Sequence, residues 1–273
     1  MKYSTYGSKE GRLVIYFNGA PGSSSEGSIL DVPALHHGLR VICFDRFSLD
    51  SNGDQDAYYE QIALEITKLL EDKETVDFVG FSIGAFVALK VSSLLGNKVK
   101  NIHLVSAAAP LNSGNYIDKM AGGFVFKLAQ RHPIIFLLLT QYQRLLSYLS
   151  PKFLFKILFS SATGADLALS KEVSFQKYII PILQSCFSTN SRGYMRDVTS
   201  YVQWNDDLKW CHAKTTNWHG TSDNWSPFDM AVKLQDAIPG AVKLEALKGL
   251  SHYSCLFEAA PKIIAQLSSE QAE

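Results

Sequence analysis

The feature that most constrains the fold is the segment Gly80-Phe81-Ser82-Ile83-Gly84, which lies between the apolar run 76–79 and the helix-like run 85–89. A serine on a sharp turn from a strand into a helix needs small residues two positions before and after it. A Cβ at either position would collide with the backbone as the chain reverses. Gly80 and Gly84 meet this requirement, so the segment predicts a nucleophile elbow that presents the Ser82 hydroxyl.

Composition narrows the class of protein. A chain of 273 residues fits one large α/β domain, or a core with an insertion, and is long enough to bury a large core. Its 26 basic and 26 acidic residues cancel, so no overall field favours nucleic acid. A hydrophobic content of 47% argues against disorder.

The cysteines and the apolar runs indicate the cellular compartment in which the protein is expected. The four cysteines are scattered without metal-type spacing, so we interpret them as reduced thiols. The first residues lack the apolar stretch of a secretory signal, and the longest apolar run, 134–139, is too short for a transmembrane segment. We therefore expect a cytoplasmic protein.

Short β-branched and aromatic runs alternate with amphipathic segments, which favours a mostly parallel sheet flanked by helices. The predicted strands are 13–17, 41–44, 76–81, 99–105, 215–219 and 241–247, and the predicted helices are 58–70, 83–95, 227–237 and 257–267. Residues 111–205 are mostly helix-like. The expected organisation is a core of residues 1–110 and 206–273 with an inserted helical cap, 111–205.

The Ser82 hydroxyl requires a base and an acid to become nucleophilic at neutral pH. His252 follows the last predicted strand, and Asp223 follows the strand before it. Loops at the carboxyl ends of parallel strands meet at one sheet edge, so the three side chains are expected to converge. The alternative acids are Asp206, Asp207 and Asp229; the alternative histidine is His219, which we expect to pack beneath the acid loop.

These motifs, in the order serine, acid, histidine, resemble the α/β-hydrolase fold family over nearly the whole chain. The resemblance implies that Ser82, Asp223 and His252 form a catalytic triad. The turn Asn18-Gly19-Ala20-Pro21 lies where many members have His-Gly-x-Pro. The resemblance also implies an oxyanion hole formed by the backbone N–H groups of Ala20 and Ile83. It implies no metal or other cofactor.

The chain departs from the family pattern in three places. Asn18 replaces the usual histidine, and residues 47–51 replace a frequent glycine-rich turn after Asp45-Arg46. Only about a dozen residues precede the first clear strand, where members commonly have two extra strands. The sheet is therefore expected to begin with a single short edge strand or none.

Apolar residues of the predicted cap either pack on the core or line a pocket over Ser82. The candidate pocket residues are Asn18, Phe124, Phe136, Trp225 and Tyr253. The segment from Leu111 to Phe159 contains six basic residues and only one acidic residue. This bias is consistent with anionic substrates, with weak contact to a membrane surface, or with a solvated basic face.

The sequence therefore predicts a serine hydrolase that cleaves an ester or similar acyl compound with an apolar portion, a small molecule, through an acyl-enzyme on Ser82. Alternatives within the family are amide hydrolases, carbon–carbon bond hydrolases and acyltransferases. An alternative of another class is a ligand-binding receptor that keeps the hydrolase pocket with little turnover.

Overall fold

One seven-stranded sheet, in the order β1-β3-β2-β4-β5-β6-β7, organises the computed structural model of the protein. The structure describes residues 1–49, 55–70, 75–189, 191–206, 208–239 and 242–270. The strands are β1 Tyr3–Gly7, β2 Arg12–Phe17, β3 Leu39–Phe44, β4 Val76–Phe81, β5 Val99–Val105, β6 Lys214–Gly220 and β7 Lys243–Leu247. All neighbouring strands are parallel except β1, which runs antiparallel to β3. The predicted mostly parallel sheet is confirmed, and β1 is the single short edge strand.

Helices flank this sheet and fill the long connection between β5 and β6. Their bounds are α1 Asp31–His36, α2 Gln55–Leu69, α3 Ile83–Leu95, α4 Gly123–Arg131, α5 Pro133–Leu149, α6 Pro151–Leu158, α7 Asp166–Leu169, α8 Val173–Gln184, α9 Ser191–Val202, α10 Phe228–Ala237 and α11 His252–Ser269. All six residues of β4 are buried. A strand covered on both faces has no need for alternating polar residues, which explains the continuous apolar runs in the sequence.

Helices α4 to α9 lie between β5 and β6, where the sequence predicts a cap. This helical insertion packs on the rest of the chain through aromatic contacts. The ring of Phe86 in α3 lies 4.8 Å from Trp204 and 6.1 Å from Tyr201, measured between ring centroids. The division into a core and a cap stays a prediction.

The last helix begins earlier than the sequence indicates. We predicted a helix over 257–267 with His252 in the preceding loop, but α11 starts at His252 itself. Two sets of acceptors stabilise the earlier start. Ser251 and Ser254 form a reciprocal capping box, and the carboxylate of Asp166 accepts the N–H groups of Tyr253 and Ser254 at 2.9 and 2.7 Å.

Two further observations concern the described residues as a whole. None of the helices within the described ranges has the length and apolar character needed to cross a bilayer. The four cysteines are buried and unpaired, in agreement with reduced thiols.

Candidate active site

Ser82 occupies the turn between β4 and α3, with φ of 55° and ψ of −127°. A non-glycine residue in this region costs about 1–3 kcal/mol, so the surrounding structure must hold it in place. Two backbone hydrogen bonds contribute. The N–H of Ser82 donates to the carbonyl of Val105 at 3.0 Å, and the N–H of Ala108 donates to the carbonyl of Ser82 at 3.4 Å. Both acceptor and donor belong to β5 and the loop that follows it.

The glycines on either side of the turn are required by close packing. A Cβ on Gly80 would lie 2.6 Å from the Cα of Ala85, and a Cβ on Gly84 would lie 2.2 Å from the carbonyl oxygen of Phe17. Both distances are too short for real atoms, and the contacting atoms are backbone. The predicted steric reason for glycine two residues before and after Ser82 is therefore confirmed.

Asp223 and His252 are joined by a hydrogen bond. His252 Nδ1 lies 2.8 Å from Asp223 Oδ2, and both residues are buried. The other carboxylate oxygen accepts the N–H groups of Trp225 and Ser226 at 2.8 and 2.9 Å. Burial tends to raise the pKa of Asp223, but the nearby charge and hydrogen bond of His252 outweigh it, so the pKa lies below its ordinary value. Asp223 is therefore the ionised partner.

Aromatic contacts fix the imidazole ring of His252. It stacks on Trp225, with ring centroids 5.5 Å apart and an angle of 17°, and lies 4.8 Å from the ring of Phe81. The Ser106 hydroxyl donates to the His252 carbonyl at 3.0 Å. With Nδ1 engaged by Asp223, Nε2 is the ring nitrogen left for proton transfer. The Ser82 hydroxyl itself forms no hydrogen bond with the described residues.

The alternative acids lie in other environments. Asp206 pairs with Lys90 at 2.8 Å, and Asp229 forms an exposed pair with Lys119 at 2.8 Å. Asp207 lies outside the described residues. Neither Asp206 nor Asp229 has a recorded contact with His252, so the described geometry favours Asp223 over both.

His219 lies beneath the acid loop, as predicted. Its Nε2 is 2.8 Å from the Ser226 carbonyl oxygen and 3.7 Å from Asp223 Oδ2. Burial lowers the pKa of His219, although the charge of Asp223 opposes this effect. A neutral His219 that donates to a backbone carbonyl supports the loop that holds Asp223.

The turn 18–21 lies against the elbow. A Cβ on Gly19 would lie 3.4 Å from the Ser82 Cβ, which shows how closely the two turns approach. Ile83 is the first residue of α3, so its N–H has no acceptor within the helix. No hydrogen bond from the N–H of Ala20 or Ile83 to another described residue is recorded. This arrangement supports the oxyanion-hole assignment, which stays a prediction.

Arg46 braces this turn, a role that the sequence reasoning missed. Its guanidinium donates to the carbonyls of Asn18, at 2.5 Å, and Gly19, at 3.3 Å. Arg46 also forms a buried ion pair with Asp197 of α9. The only available signal was the position of Arg46 in the charged pair Asp45-Arg46, which directly follows strand β3. The insertion therefore reaches the turn on which the predicted oxyanion hole depends.

Glu26 is a second residue that the sequence reasoning missed. It is fully buried, and its Oε1 accepts the Gly19 N–H and the Tyr16 hydroxyl, both at 2.8 Å. Burial raises the pKa of Glu26 to about 7, although the hydrogen bonds from Gly19 and Tyr16 and the charge of Arg46 act in the opposite direction. Glu26 thus titrates near neutral pH directly behind the turn.

We expect Glu26 to make stability depend on pH. The carboxyl holds its proton more tightly in the folded protein than in the unfolded chain, whose pKa is near 4.5. Its stabilising contribution is therefore complete below pH 4.5 and is lost as the pH rises through 7, by roughly 3 kcal/mol in total. Urea unfolding between pH 4.5 and 8 should show this decline for the wild type and not for Glu26→Gln. A decline that persists in Glu26→Gln, or disappears in the exposed control Glu10→Gln, would contradict the assignment.

A cavity of about 270 Å³ opens at Ser82. Two of the candidate pocket residues, Phe124 and Trp225, line it together with Ala20 and Ile83. The lining is largely apolar, as the remaining residues show: Pro21, Ala108, Met120, Ala121, Gly122, Val125, Phe126, Leu139, Gln143, Ile157, Leu158, Ser160, Ser161, Tyr194, Val198 and Ser226.

Three predicted pocket residues do not line this cavity. Phe136 is buried on the inner side of α5, with its ring 6.2 Å from that of Tyr194. Tyr253 is buried between other aromatic rings, 5.2 Å from Phe81. The side chain of Asn18 turns back to donate to the Gly19 carbonyl at 3.0 Å. Each of the three side chains packs inside the protein, away from the cavity lining.

A short stretch of the insertion holds both the acid loop and the histidine. The Thr163 hydroxyl donates to the Ser222 carbonyl at 2.7 Å, and the N–H of Ala165 donates to the Gly249 carbonyl at 3.1 Å. Asp166 then caps α11 directly after His252. Within the described residues, no group of three or more potential ligand side chains could hold a metal ion.

Solved structures similar to this one share the whole fold at low identity. They include a bromoperoxidase from Bacillus anthracis, with 20% identity, a TM-score of 0.67, and coverage of 97% of this chain and 93% of that chain. An esterase from Exiguobacterium antarcticum has 19% identity, a TM-score of 0.66, and coverage of 99% and 95%. The enol-lactonase from Burkholderia xenovorans LB400 has 12% identity, a TM-score of 0.64, and coverage of 100% and 96%. At such identities the similarity shows a shared fold and does not show a shared activity.

Sequence comparison gives the family. No curated protein matches the chain. The family model for the α/β hydrolase fold matches residues 12–259, from β2 into α11, and this range includes Ser82, Asp223 and His252. The chain therefore belongs to the α/β hydrolase fold family.

Proposed function

We propose that the protein is a serine hydrolase that cleaves an ester or similar acyl bond in a small molecule with an apolar portion. The observation that carries this proposal is the buried Asp223–His252 hydrogen bond beside the elbow of Ser82. A buried acid that fixes one imidazole nitrogen leaves the other free to act as a base. This is the arrangement that an activated serine needs.

The reaction would proceed in two halves. Ser82 Oγ attacks the carbonyl carbon while His252 Nε2 takes the hydroxyl proton, and the N–H groups of Ala20 and Ile83 stabilise the oxyanion. His252 then gives its proton to the leaving alcohol as the acyl-enzyme forms. Water attacks the acyl-enzyme with His252 again as base, which releases the acid and restores Ser82. Asp223 stabilises the imidazolium in both halves.

The cavity supports a substrate with an apolar body and some polar groups. Phe124, Leu139, Ile157 and Trp225 are among its lining side chains. Two buried polar atoms of lining residues, Gln143 Oε1 and Trp225 Nε1, have no partner among the described residues. One acceptor and one donor are thus available to a substrate or to water. The esterase and the enol-lactonase among the similar structures agree with acyl-oxygen chemistry. The four unpaired cysteines agree with a cytoplasmic location, which we also propose.

A fluorophosphonate probe tests the proposal. Such a probe phosphonylates only an activated serine, so intact-protein mass should show a single adduct on the wild type. Ser82→Ala and His252→Ala should both lose the adduct. The variant His212→Ala, which changes a histidine outside the proposed triad, should keep it. A folded wild-type protein without an adduct would contradict the hydrolase and favour the receptor-like alternative.

A further inference from the structure

Helix α5 shows an inverted amphipathic pattern. Its buried side includes three polar residues, Thr140, Gln143 and Ser147, besides Phe136. Its exposed apolar side chains are Ile134, Ile135, Leu137, Leu138, Tyr142, Leu145, Tyr148 and Leu149, which we call the α5 face. Ile134 and Leu149 are each 73% exposed and Leu138 is 62% exposed. A surface helix normally turns its apolar side inward. Because α5 exposes its apolar side chains instead, we expect a membrane or another molecule to cover the α5 face.

The α5 face continues onto the neighbouring helices and reaches the mouth of the cavity. Phe124 of α4 is 65% exposed, and Phe153 and Ile157 of α6 are 49% and 42% exposed. Phe124 and Ile157 also line the cavity at Ser82. The cavity therefore opens among exposed apolar side chains.

Exposed cations without an ion pair to the described residues lie on the same helices as the α5 face and its continuation, at the end of α4, in α5 and in α6. Arg131, Arg144, Lys152 and Lys156 are exposed, and none of them has a recorded ion pair with a described acidic side chain. The one acidic residue between 111 and 159, Asp118, pairs with Lys127. Positive charge is thus concentrated in the segment 111–159, which carries the α5 face, of a chain whose 26 basic and 26 acidic residues balance overall.

We propose that the α5 face docks on a bilayer that contains anionic lipids. Exposed apolar side chains accompanied on the same helices by exposed Lys and Arg are the combination that binds at such a surface. The apolar groups enter the boundary between headgroups and acyl chains, and the cations contact the headgroups. A second copy of this chain fits less well, because a two-fold contact would bring the same four cations together. Docking is independent of the proposed function. Only the further step, in which an apolar ester passes from the bilayer into the cavity, rests on the proposed function.

Vesicle sedimentation tests the docking, with the full chain carrying Ser82→Ala so that no hydrolysis occurs. We expect binding to vesicles of phosphatidylcholine with phosphatidylserine, weaker binding to phosphatidylcholine alone, and loss of the difference at high salt. Ile134→Gln/Leu138→Gln/Leu149→Gln should weaken binding at least about tenfold. The matched control Val32→Gln/Leu64→Gln/Leu94→Gln changes three exposed apolar residues of α1, α2 and α3, about half or more of each exposed, and should bind like the parent.

The charges are tested separately. Arg144→Gln/Lys152→Gln should reduce the preference for phosphatidylserine by about fivefold per residue, whereas Lys9→Gln/Lys233→Gln should leave it unchanged. Absence of binding to the anionic vesicles, or equal binding by the apolar triple variant, would overturn the proposal. A dimer in sedimentation equilibrium that the triple variant splits would assign the α5 face to a second copy and also overturn it. If the protein docks on vesicles but the wild type hydrolyses no soluble ester, only the proposed hydrolase function would be overturned.

Discussion

The Asp223→Asn variant is expected to fold normally and to lose about 10⁴-fold in kcat. An asparagine can still accept the N–H groups of Trp225 and Ser226 through its oxygen. Its amide then faces His252 Nδ1, which must become the acceptor. The imidazole proton moves to Nε2, and that nitrogen can no longer take the proton of Ser82. The measurement is kcat on a soluble ester, with unfolding followed in parallel.

Asp229→Asn is the matched control for this prediction. It removes the same charge at an exposed carboxylate whose partner is Lys119. We expect unchanged kcat for this variant. Near-wild-type kcat for Asp223→Asn would show that another group orients His252, and Asp206→Asn would then be the next variant to measure.

The Asp197→Ala variant is expected to lower the free energy of unfolding by about 3–5 kcal/mol. Asp197 and Arg46 are 1% and 2% exposed and form an ion pair, so the alanine leaves a buried guanidinium without its counter-charge. Arg196 loses its contact with Asp197 at 3.0 Å as well. Urea unfolding should show the loss as a lower midpoint with an unchanged slope.

The exposed pair between Asp229 and Lys119 again provides the comparison, because Asp229→Ala should leave the urea midpoint almost unchanged. Asp197→Ala should also lower kcat, since Arg46 donates to the turn 18–21. A wild-type midpoint for Asp197→Ala would mean that the Arg46 guanidinium reaches water when its partner is removed. The interpretation that the Arg46–Asp197 pair connects α9 to the turn and stabilises it would then be wrong.

Local patterns predicted the elbow and the strands well. A Cβ on Gly80 would clash with Ala85 five residues later, so that requirement is visible in the short segment itself, whereas a Cβ on Gly84 would clash with Phe17 of the adjacent strand β2. β4 is buried along its full length, which makes its apolar run unambiguous. The convergence of Asp223 and His252 follows from a general property of parallel sheets, namely that their loops share one edge.

Interactions between distant parts of the chain were not predictable in this way. The start of α11 depends on Asp166, which lies far upstream in the insertion. The partners of Arg46 and Glu26 likewise come from other loops. The apolar side chain of Phe136 suggests a position in the pocket. In the structure, however, α5 buries Phe136 together with three polar residues and exposes several leucines. The rotation of a helix about its axis is set by its neighbours, and its own composition misleads when the usual polarity is reversed.

The contacts of residues 163–166 affect how this protein can be recombined with its relatives. Exchange of the whole segment 111–205 for the corresponding part of another hydrolase would remove the hydroxyl that holds Ser222 and the carboxylate that begins α11. The donor segment would have to supply equivalent groups at the same places, or His252 and Asp223 would lose their alignment. A chimera that exchanges α4 to α6 and retains residues 163–166 avoids this problem, because it replaces much of the cavity lining and keeps the contacts that hold Asp223 and His252.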